Sequence, residues 1–362
     1  MPVRPRATRV VAVDAENPDA RVIAEAASVL ARGGLVAFPT ETVYGLGANA
    51  LDLSAIDALF DAKGRPSTDP VIVHLASGDG VGDIARDVPP IANLLAQRFW
   101  PGPLTLVLKK AAQVSPSITA GLDSVGVRVP AHPVAQALLR AAQLPIVAPS
   151  ANRFARPSPT RAEHVVDDLN GSIDMVLDAG PTTVGVESTV LDVTTFPPIV
   201  LRPGGVSIEA LRELVPDVAV VSRTGLVSNA QPAPGQLLRH YAPRAKLTLY
   251  TGDAASVAHQ IGLDARSLAA AGTRVGILGP EEDLMAVAPT LVPLATTGRV
   301  RFANIGSRRD PSRAARELFA ALRTLDGEGV DEILASAPDP QDIGLAIHDR
   351  LTRAAEGRVR RL

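Results

Sequence analysis

The sequence predicts an α/β protein of two domains joined by a long connecting segment. The chain has 362 residues, more than the roughly 100 to 200 residues of a typical domain. Short apolar runs alternate with segments of helical periodicity over most of its length, as in sheets whose strands are joined by helices. From about 216 to 245 this alternation stops, and Pro, Gly, Ser and Asn become frequent. We therefore expect domains at 1–215 and 246–362, with a linker at 216–245.

The N-terminal domain has apolar runs typical of buried strands, separated by helical segments. The predicted strands are 35–38, 71–75, 104–109, 125–130, 145–152 with a break at Pro149, 175–179, 188–193 and 198–203. The predicted helices are 21–32, ended by Gly33 and Gly34; 54–62, with Ser54 as N-cap; 90–99; 132–143; one that a Thr160–Glu163 capping box opens and that runs to about Leu169; and 207–215. Gly45–Ala50 imitates a dinucleotide-binding G-x-G-x-x-A fingerprint, but no acid ends the next strand, so we favour a plain glycine turn.

The C-terminal domain repeats the alternation more regularly. Its predicted strands are 246–250, 274–278, 300–305 and 332–337, and its predicted helices are 254–270, 311–325 and 341–356. Strands joined in this way by helices favour a small domain with a largely parallel sheet.

Composition excludes several classes of function. A net charge of −2 and an aromatic content of 3% disfavour a non-specific nucleic-acid binder with base-stacking platforms. With no cysteine, the chain has no disulfide, thiol nucleophile or cysteine zinc site. The six histidines lack metal-binding spacing, and neither a P-loop nor a G-x-S-x-G elbow is present. No signal peptide or membrane span is evident, so we expect a cytoplasmic location.

What remains is a set of polar residues at the ends of the apolar runs. Each alone is more typical of a turn, a cap or a surface charge. The four cations Lys63, Arg65, Arg128 and Arg202, together with nearby hydroxyls, suit carboxylate or phosphate. A nucleoside triphosphate with Mg²⁺ would need a lining of this kind.

Seven motifs then occur in order: PTETVYGLGANA, KGRP…PVIVH, WPGPLTLVL, VGVRVPAHP, PIVAPSAN…SPT, VESTVLDV and LRPGG. Together they resemble the YrdC/Sua5 family, the L-threonylcarbamoyladenylate synthases. The KxR and SxN pairs, the most specific features of the family, stand here as Lys63/Arg65 and Ser150/Asn152. The resemblance covers about 20–355, and the linker and second domain look like the longer, two-domain Sua5 form.

The resemblance implies a twisted open YrdC-like α/β sheet with a concave positive cavity, a smaller Rossmann-like Sua5 domain, and a linker across the catalytic opening. It implies an enzyme that joins L-threonine, bicarbonate or CO₂, and ATP with Mg²⁺ into threonylcarbamoyl-AMP and pyrophosphate. A separate tRNA threonylcarbamoyl transferase complex would then modify adenosine 37 of tRNAs that read ANN codons. A weak contact with tRNA is compatible with this role, whereas a membrane or DNA partner is not expected.

Matched position by position, the resemblance implies three groups of site residues. The signature residues Lys63, Arg65, Ser150 and Asn152 would be catalytic, with no side-chain nucleophile and no protein-built metal site. L-Threonine would contact Thr42, His74, Arg128, the backbone at Ala148, and Ser188. ATP would contact Arg65, Asp69, Ser124, Ser150, Ser158, Arg202 and Tyr241, the last in the linker. Position 69 departs from the family pattern, because it is commonly Asn there and is Asp here.

Two other functions remain as alternatives. The same fold could be an RNA- or ribosome-binding module without ATP chemistry, which would bind RNA with no dependence on threonine. A related domain of hydrogenase maturation proteins adenylates carbamoyl phosphate, but those chains carry zinc-finger segments, and this chain has no cysteine. A regulatory role of the second domain is a third idea that the sequence does not test.

Overall fold

The computed structural model describes residues 7–220 and 240–362, which form two compact units. The first runs to Phe154 and continues from Ser158 to residue 220. The second contains the short segment Ala155–Pro157 and residues 240–362. Most of the predicted linker, at 221–239, lies outside the described residues.

The first unit is built on one mixed sheet. Its strands are β1 (Arg9–Ala12), β2 (Val36–Pro39), β3 (Tyr44–Asn49), β4 (Ile72–His74), β5 (Leu104–Lys109), β6 (Ser124–Arg128), β7 (Ile146–Val147), β8 (Met175–Asp178), β9 (Thr189–Asp192), β10 (Ile199–Arg202) and β11 (Ala219–Val220). Across the described residues the eleven strands take the order β1-β8-β2-β3-β7-β4-β6-β5-β9-β10-β11. Within it, β4 and β6 are parallel, β5 and β6 antiparallel, β5 and β9 parallel, and β9 and β10 antiparallel.

Helices join these strands and cover the sheet. They are α1 (Ala20–Ala31), α2 (Leu53–Lys63), α3 (Val81–Ile84), α4 (Pro90–Phe99), α5 (Pro116–Thr119), α6 (Pro133–Ala142), α7 (Ala162–Leu169) and α8 (Ile208–Arg212). The apolar faces of α1 and α6 pack on the sheet, where Leu30 and Leu138 share a core with Phe38, Ile146 and Met175. Burial of these side chains is the main stabilising term of such a layer.

The second unit has a different sheet. Its strands are β12 (Lys246–Thr251), β13 (Val275–Gly279), β14 (Val300–Asn304), β15 (Glu332–Ala335) and β16 (Val359–Arg361), and its helices are α9 (Ala254–Ala270), α10 (Glu281–Thr296), α11 (Pro311–Gly327) and α12 (Gly344–Ala354). The order is β14-β13-β15-β12-β16, and each pairing among these described strands is parallel. The prediction of a largely parallel α/β domain is confirmed, whereas its specifically Rossmann-like character stays a prediction.

Two predicted helix starts are wrong. The N-cap of helix α2 is Asp52 and not Ser54, because the Asp52 carboxylate accepts hydrogen bonds from the amides of Ser54 and Ala55. Helix α7 has no capping box, because its N-cap is Arg161 and makes no side-chain cap bond. The amide of Thr160 donates to His164 Nδ1 at 3.2 Å instead.

Other elements differ from the prediction or were missed. The predicted glycine turn at 45–50 is mostly strand β3, and the predicted strand at 145–152 shrinks to Ile146–Val147. Strands β1 and β16 and helix α10 were not predicted. Helix α10 contains Pro289 and Pro293, which ordinarily break helices. Among the described residues, no helix combines the length and apolarity needed to cross a bilayer.

Candidate active site

Five neighbouring strands of the first unit carry polar residues at the same end of the sheet. His74 ends β4 and pairs in register with Arg128, which ends β6. Thr105 lies in β5, one residue before Leu106, which pairs in register with Val127 of β6. Ser188 directly precedes β9, and Arg202 ends β10. The strand order therefore brings together four predicted contact residues and Thr105, which was not predicted.

Arg128 is the centre of this group. Its side chain is 5% exposed. Nη2 donates to Glu41 Oε1 at 2.6 Å, Nη1 donates to Thr42 Oγ1 at 3.0 Å, and Nε donates to the carbonyl of Gly102 at 3.2 Å. The second Glu41 oxygen accepts the amide of Ala131 at 3.1 Å. Two predicted threonine contacts, Thr42 and Arg128, thus touch each other through a fixed guanidinium.

His74 is held beside Arg128 in its neutral form. The ring is buried, and Nδ1 lies 3.3 Å from the carbonyl of Ile72. Burial, followed by the positive charge of Arg128, lowers the pKa of His74 to about 3. With Nδ1 donating to Ile72, Nε2 is a hydrogen-bond acceptor. The amide of Ala148, another predicted threonine contact, donates to the same carbonyl at 3.0 Å.

Arg202 and Ser188 form the next part of the site. Arg202 Nη2 donates to the carbonyl of Ser188 at 2.9 Å, and the Ser188 hydroxyl lies 2.8 Å from that of Thr105. The turn after Arg202 packs main chain against main chain, because a Cβ on Gly204 would lie 2.3 Å from the carbonyl oxygen of Glu187. Nearby, the hydroxyl of Ser158 donates to the Glu187 carboxylate, and both residues are buried.

Lys63 and Arg65, the predicted catalytic cations that we call the phosphate clamp, lie at the end of helix α2. Gly64 between them has a φ of 62°, a left-handed conformation that favours glycine, and it ends the helix. Lys63 Nζ donates to the carbonyls of Ser150 and Asn152, the latter at 2.6 Å. The KxR lysine therefore holds the backbone of the SxN loop. Burial, followed by the charge of Arg65, holds the pKa of Lys63 well below its usual value.

Arg65 is paired with the residue that departs from the family pattern. Its Nη2 lies 3.0 Å from Asp69 Oδ2, and the two side chains are 3% and 0% exposed. It also donates to the carbonyls of Asp69 and Pro70. Asp69 therefore supplies a buried counter-charge to Arg65, a role that an asparagine could not fill.

Two predicted ATP contacts are not joined to the groups described above by any contact within the described part of the chain. Ser124 begins β6 whereas Arg128 ends it, a separation of about 13 Å along the strand. Tyr241 belongs to the second unit, where it is 1% exposed and its ring lies 5.4 Å from that of Phe319 and 5.0 Å from the Arg350 guanidinium. Both assignments to ATP stay predictions.

Two cavities of the first unit, of about 490 and 190 Å³, have none of the predicted site residues in their linings.

Three buried polar residues were not predicted from the sequence: Glu41, Thr105 and Glu187. The predicted set contained the cations and hydroxyls that a polyanion needs, and it did not contain these two acids. The signal was nevertheless present, since Glu41 stands between two threonines in PTETVYG and Glu187 directly precedes Ser188. A charged residue inside an apolar motif must be paired when it is buried.

The fold and these contacts define a class of protein: a two-unit α/β protein whose first unit has buried, hydrogen-bonded arginines at the ends of its strands. A Sua5/YciO/YrdC family model, described as "Telomere recombination", matches residues 28–204. The model described as "Threonylcarbamoyl-AMP synthase, C-terminal domain" matches residues 206–356.

Curated relatives and a solved structure are similar to this chain over nearly its whole length. The threonylcarbamoyl-AMP synthase of Pyrococcus abyssi is 41% identical over 92% of this chain and 94% of that protein. The enzyme of the same name from Bacillus subtilis is 42% identical over 93% of this chain and 94% of that protein. A crystal structure of P. abyssi Sua5 complexed with L-threonine superposes with a TM-score of 0.90 and 40% identity, covering 98% of this chain and 100% of that one. The chain belongs to the Sua5/YciO/YrdC family, in its two-domain Sua5 form.

Proposed function

We propose that this chain is an L-threonylcarbamoyl-AMP synthase that condenses L-threonine, bicarbonate or CO₂, and ATP. The observation that carries the proposal is the contact between Arg128 and Thr42 beside neutral His74. It supports a site for an amino acid with a hydroxyl group, since the guanidinium suits a carboxylate and the hydroxyl and imidazole offer hydrogen bonds. The names of the two-domain relatives support the same function.

The reaction needs positioning more than side-chain chemistry. The threonine amine and bicarbonate give a carbamate and water. A carbamate oxygen then forms a bond to the α-phosphorus of ATP, and the bond from that phosphorus to the β-phosphate oxygen breaks, releasing pyrophosphate. A carbamate decomposes readily in water, so the site must align it with ATP and exclude solvent.

Lys63 and Arg65 would neutralise charge on the phosphates. Both are buried, and both already bond to carbonyls of their own unit. ATP binding would therefore have to use their remaining N–H donors. A nearby triphosphate would raise the pKa of Lys63 and keep it charged.

Mg²⁺ would accompany ATP and supply charge neutralisation at the phosphates. Triphosphate-bound Mg²⁺ takes phosphate oxygens, waters and one or two carboxylates, so no dedicated cage is required. Among the described residues, no group of three or more His, Asp or Glu side chains is placed to hold a metal ion. The Glu187 carboxylate beside Ser158 is a suitable oxygen donor.

The product would pass to a tRNA-modifying transferase, as the resemblance implies. A cytoplasmic location and the absence of membrane and DNA partners remain predictions attached to that role. The placement of the linker across the catalytic opening is also a prediction, because 221–239 lie outside the described residues.

The test is pyrophosphate release from ATP with threonine and bicarbonate supplied together or singly. We expect release only when both are present, and a loss of at least about 100-fold in Lys63→Ala or Arg65→Ala. Lys246→Ala, which removes an exposed lysine of the second unit, is the control and should keep full activity. RNA binding without threonine-dependent release would favour the rival binding module. Full activity of Lys63→Ala or Arg65→Ala would exclude that residue from the phosphate clamp.

A further inference from the structure

We propose that Glu41 sets the ligand specificity of the threonine site by balancing the charge of Arg128, so that the site selects a zwitterion over an anion. The inference rests on the proposed function, because it concerns the same amino-acid site. It adds a residue that the predicted contacts did not include. Glu41 lies in the turn between β2 and β3 and reaches Arg128 on β6.

The pair is buried and therefore acts as a unit. The side chains of Glu41 and Arg128 are 10% and 5% exposed. An isolated charge is costly at such a position, whereas an oppositely charged pair is tolerated. The neighbouring rings add no charge at neutral pH. Burial lowers the pKa of His132, and burial and Arg128 lower that of His74.

The contact leaves Arg128 able to take a second carboxylate. Glu41 receives a single N–H of the guanidinium, through one oxygen. The donors to Thr42 and Gly102 bring the number in use to three of the five that arginine has. Counted over the described residues, two N–H groups remain, one on Nη1 and one on Nη2, and two is the number that a bidentate carboxylate takes.

Glu41 is also fixed in place, so its charge stays when a ligand arrives. Oε2 accepts the amide of Ala131 at 3.1 Å, and the main-chain carbonyl accepts the amide of Val184 at 2.8 Å. The turn is tied internally as well, because the Thr40 hydroxyl donates to the carbonyl of Val43 at 2.6 Å. Glu41 is therefore not an occupant that a substrate carboxylate displaces.

The consequence is that the net charge of the ligand decides whether the site accepts it. A ligand with a carboxylate alone would leave the buried site with one net negative charge. A ligand with a carboxylate and an ammonium group leaves it neutral, with the ammonium attracted to the Glu41 side of the pair. Glu41 thus rejects hydroxy acids that Arg128 and Thr42 would otherwise accept.

The experiment measures dissociation constants by titration calorimetry for three ligands. They are L-threonine, the 2,3-dihydroxybutanoate of matching stereochemistry, which has a hydroxyl in place of the amine, and L-threoninamide, which lacks the carboxylate. Wild type should prefer threonine to either analogue by at least about tenfold, the scale of one buried charge contact. Wild type that binds threonine and the dihydroxy acid within threefold of each other would overturn the inference whatever any variant does.

Variants of Glu41 distinguish a role in ligand selection from a purely structural role. Glu41→Gln should narrow the preference for threonine over the dihydroxy acid by about tenfold or more, because the unbalanced Arg128 now favours an anion. Glu41→Asp keeps the charge and should keep the preference. Glu25→Gln, which removes an exposed carboxylate paired with Arg9, is the control and should behave as wild type.

The outcomes distinguish this inference from the proposed function. Equal weakening of threonine and the dihydroxy acid in Glu41→Gln would reduce Glu41 to a support of the fold. That result would leave the synthase assignment intact. Wild type that binds none of the three ligands would instead contradict the proposed function itself.

Discussion

Each unit buries a carboxylate against an arginine near the ends of its strands, but the two pairs differ in geometry. In the second unit, Arg308 donates through Nε and Nη2 to both oxygens of Asp283, each at 2.7 Å, and the Ser336 hydroxyl donates to the same carboxylate. In the first unit, Arg128 gives Glu41 only one N–H. Arg308 therefore directs two N–H groups to one carboxylate, whereas Arg128 donates one N–H group to each of three acceptors.

The difference teaches how to interpret a polar cluster at strand ends. Ligands of open α/β sheets usually bind beyond the carboxyl ends of strands, and both units have charged residues there. Asp283 and Arg308 form a closed bidentate ion pair, which is a structural feature. Both arginines use three N–H donors, because Arg308 also donates to the carbonyl of Ala337. The difference is that Arg308 holds one carboxylate with two N–H groups, whereas Arg128 has no bidentate carboxylate partner of its own among the described residues, and this favours Arg128 as the proposed ligand contact.

The strongest test of this comparison exchanges each arginine for lysine. Arg128→Lys keeps the charge opposite Glu41 but loses the fork, so we expect threonine affinity to fall by about 100-fold. Arg308→Lys should leave threonine affinity unchanged. Calorimetric titration of both variants with L-threonine is the measurement. An equal fall in both, or none in Arg128→Lys, would break the distinction.

A second test concerns stability. Asp283→Asn removes the charge that holds Arg308, and we expect the second unit to lose about 2 kcal/mol of unfolding free energy. Hydrogen exchange of amides in β13 and β15 reports this unit directly. Threonine binding at a temperature where the protein is folded should be unaffected. A neutral effect on exchange would show that the ion pair is not a stabilising feature.

The smallest expected effect is a pH dependence that comes from His74. Because its pKa is about 3 in the fold and about 6.5 when unfolded, the unfolded chain binds more protons between these values. The contribution of His74 to stability is therefore complete above about pH 6.5 and is lost as the pH falls toward 3. Between pH 7 and 5.5, His74→Gln should lose about 1 kcal/mol less stability than wild type.

The first unit has its own reporter for this test. Trp100 is the only tryptophan of the chain, and its indole donates to the carbonyl of Leu104. Urea denaturation followed by Trp100 fluorescence therefore measures the unit that contains His74. The exposed His259, replaced by Gln, is the control. Identical pH slopes for wild type and His74→Gln would contradict a neutral buried imidazole.

Much of the fold was predictable because most strands are continuous apolar runs and most helices have clear helical periodicity. The elements that failed have local physical causes. Strand β3 contains Gly45 and Gly47, which disfavour strands, yet a Cβ on Gly47 would lie 2.9 Å from the ring of Phe38. Helix α10 tolerates Pro289 and Pro293 because Leu284, Val287 and Leu291 are buried in the core of the second unit. Tertiary packing outweighed propensity in both cases.

The candidate site was predictable to a different degree. Motifs and strand ends pointed to Arg128, His74, Ser188 and Arg202, which the sheet does bring together. No pattern in the sequence showed that Lys63 would bond to the SxN loop or that Arg65 would be paired with Asp69. Such pairings depend on long-range packing, and the sequence alone does not fix the partner of a buried charge.

The turn at Gly204 limits how this site can change. Its α-carbon faces the main chain of Glu187 and Ser188 so closely that no side chain fits. The main chain at this turn therefore cannot be reshaped by exchanging Gly204 for another amino acid. Under the proposed function, efforts to make the enzyme accept a bulkier amino acid would begin at side chains such as Thr42. A library that varies position 204 would return mostly misfolded protein.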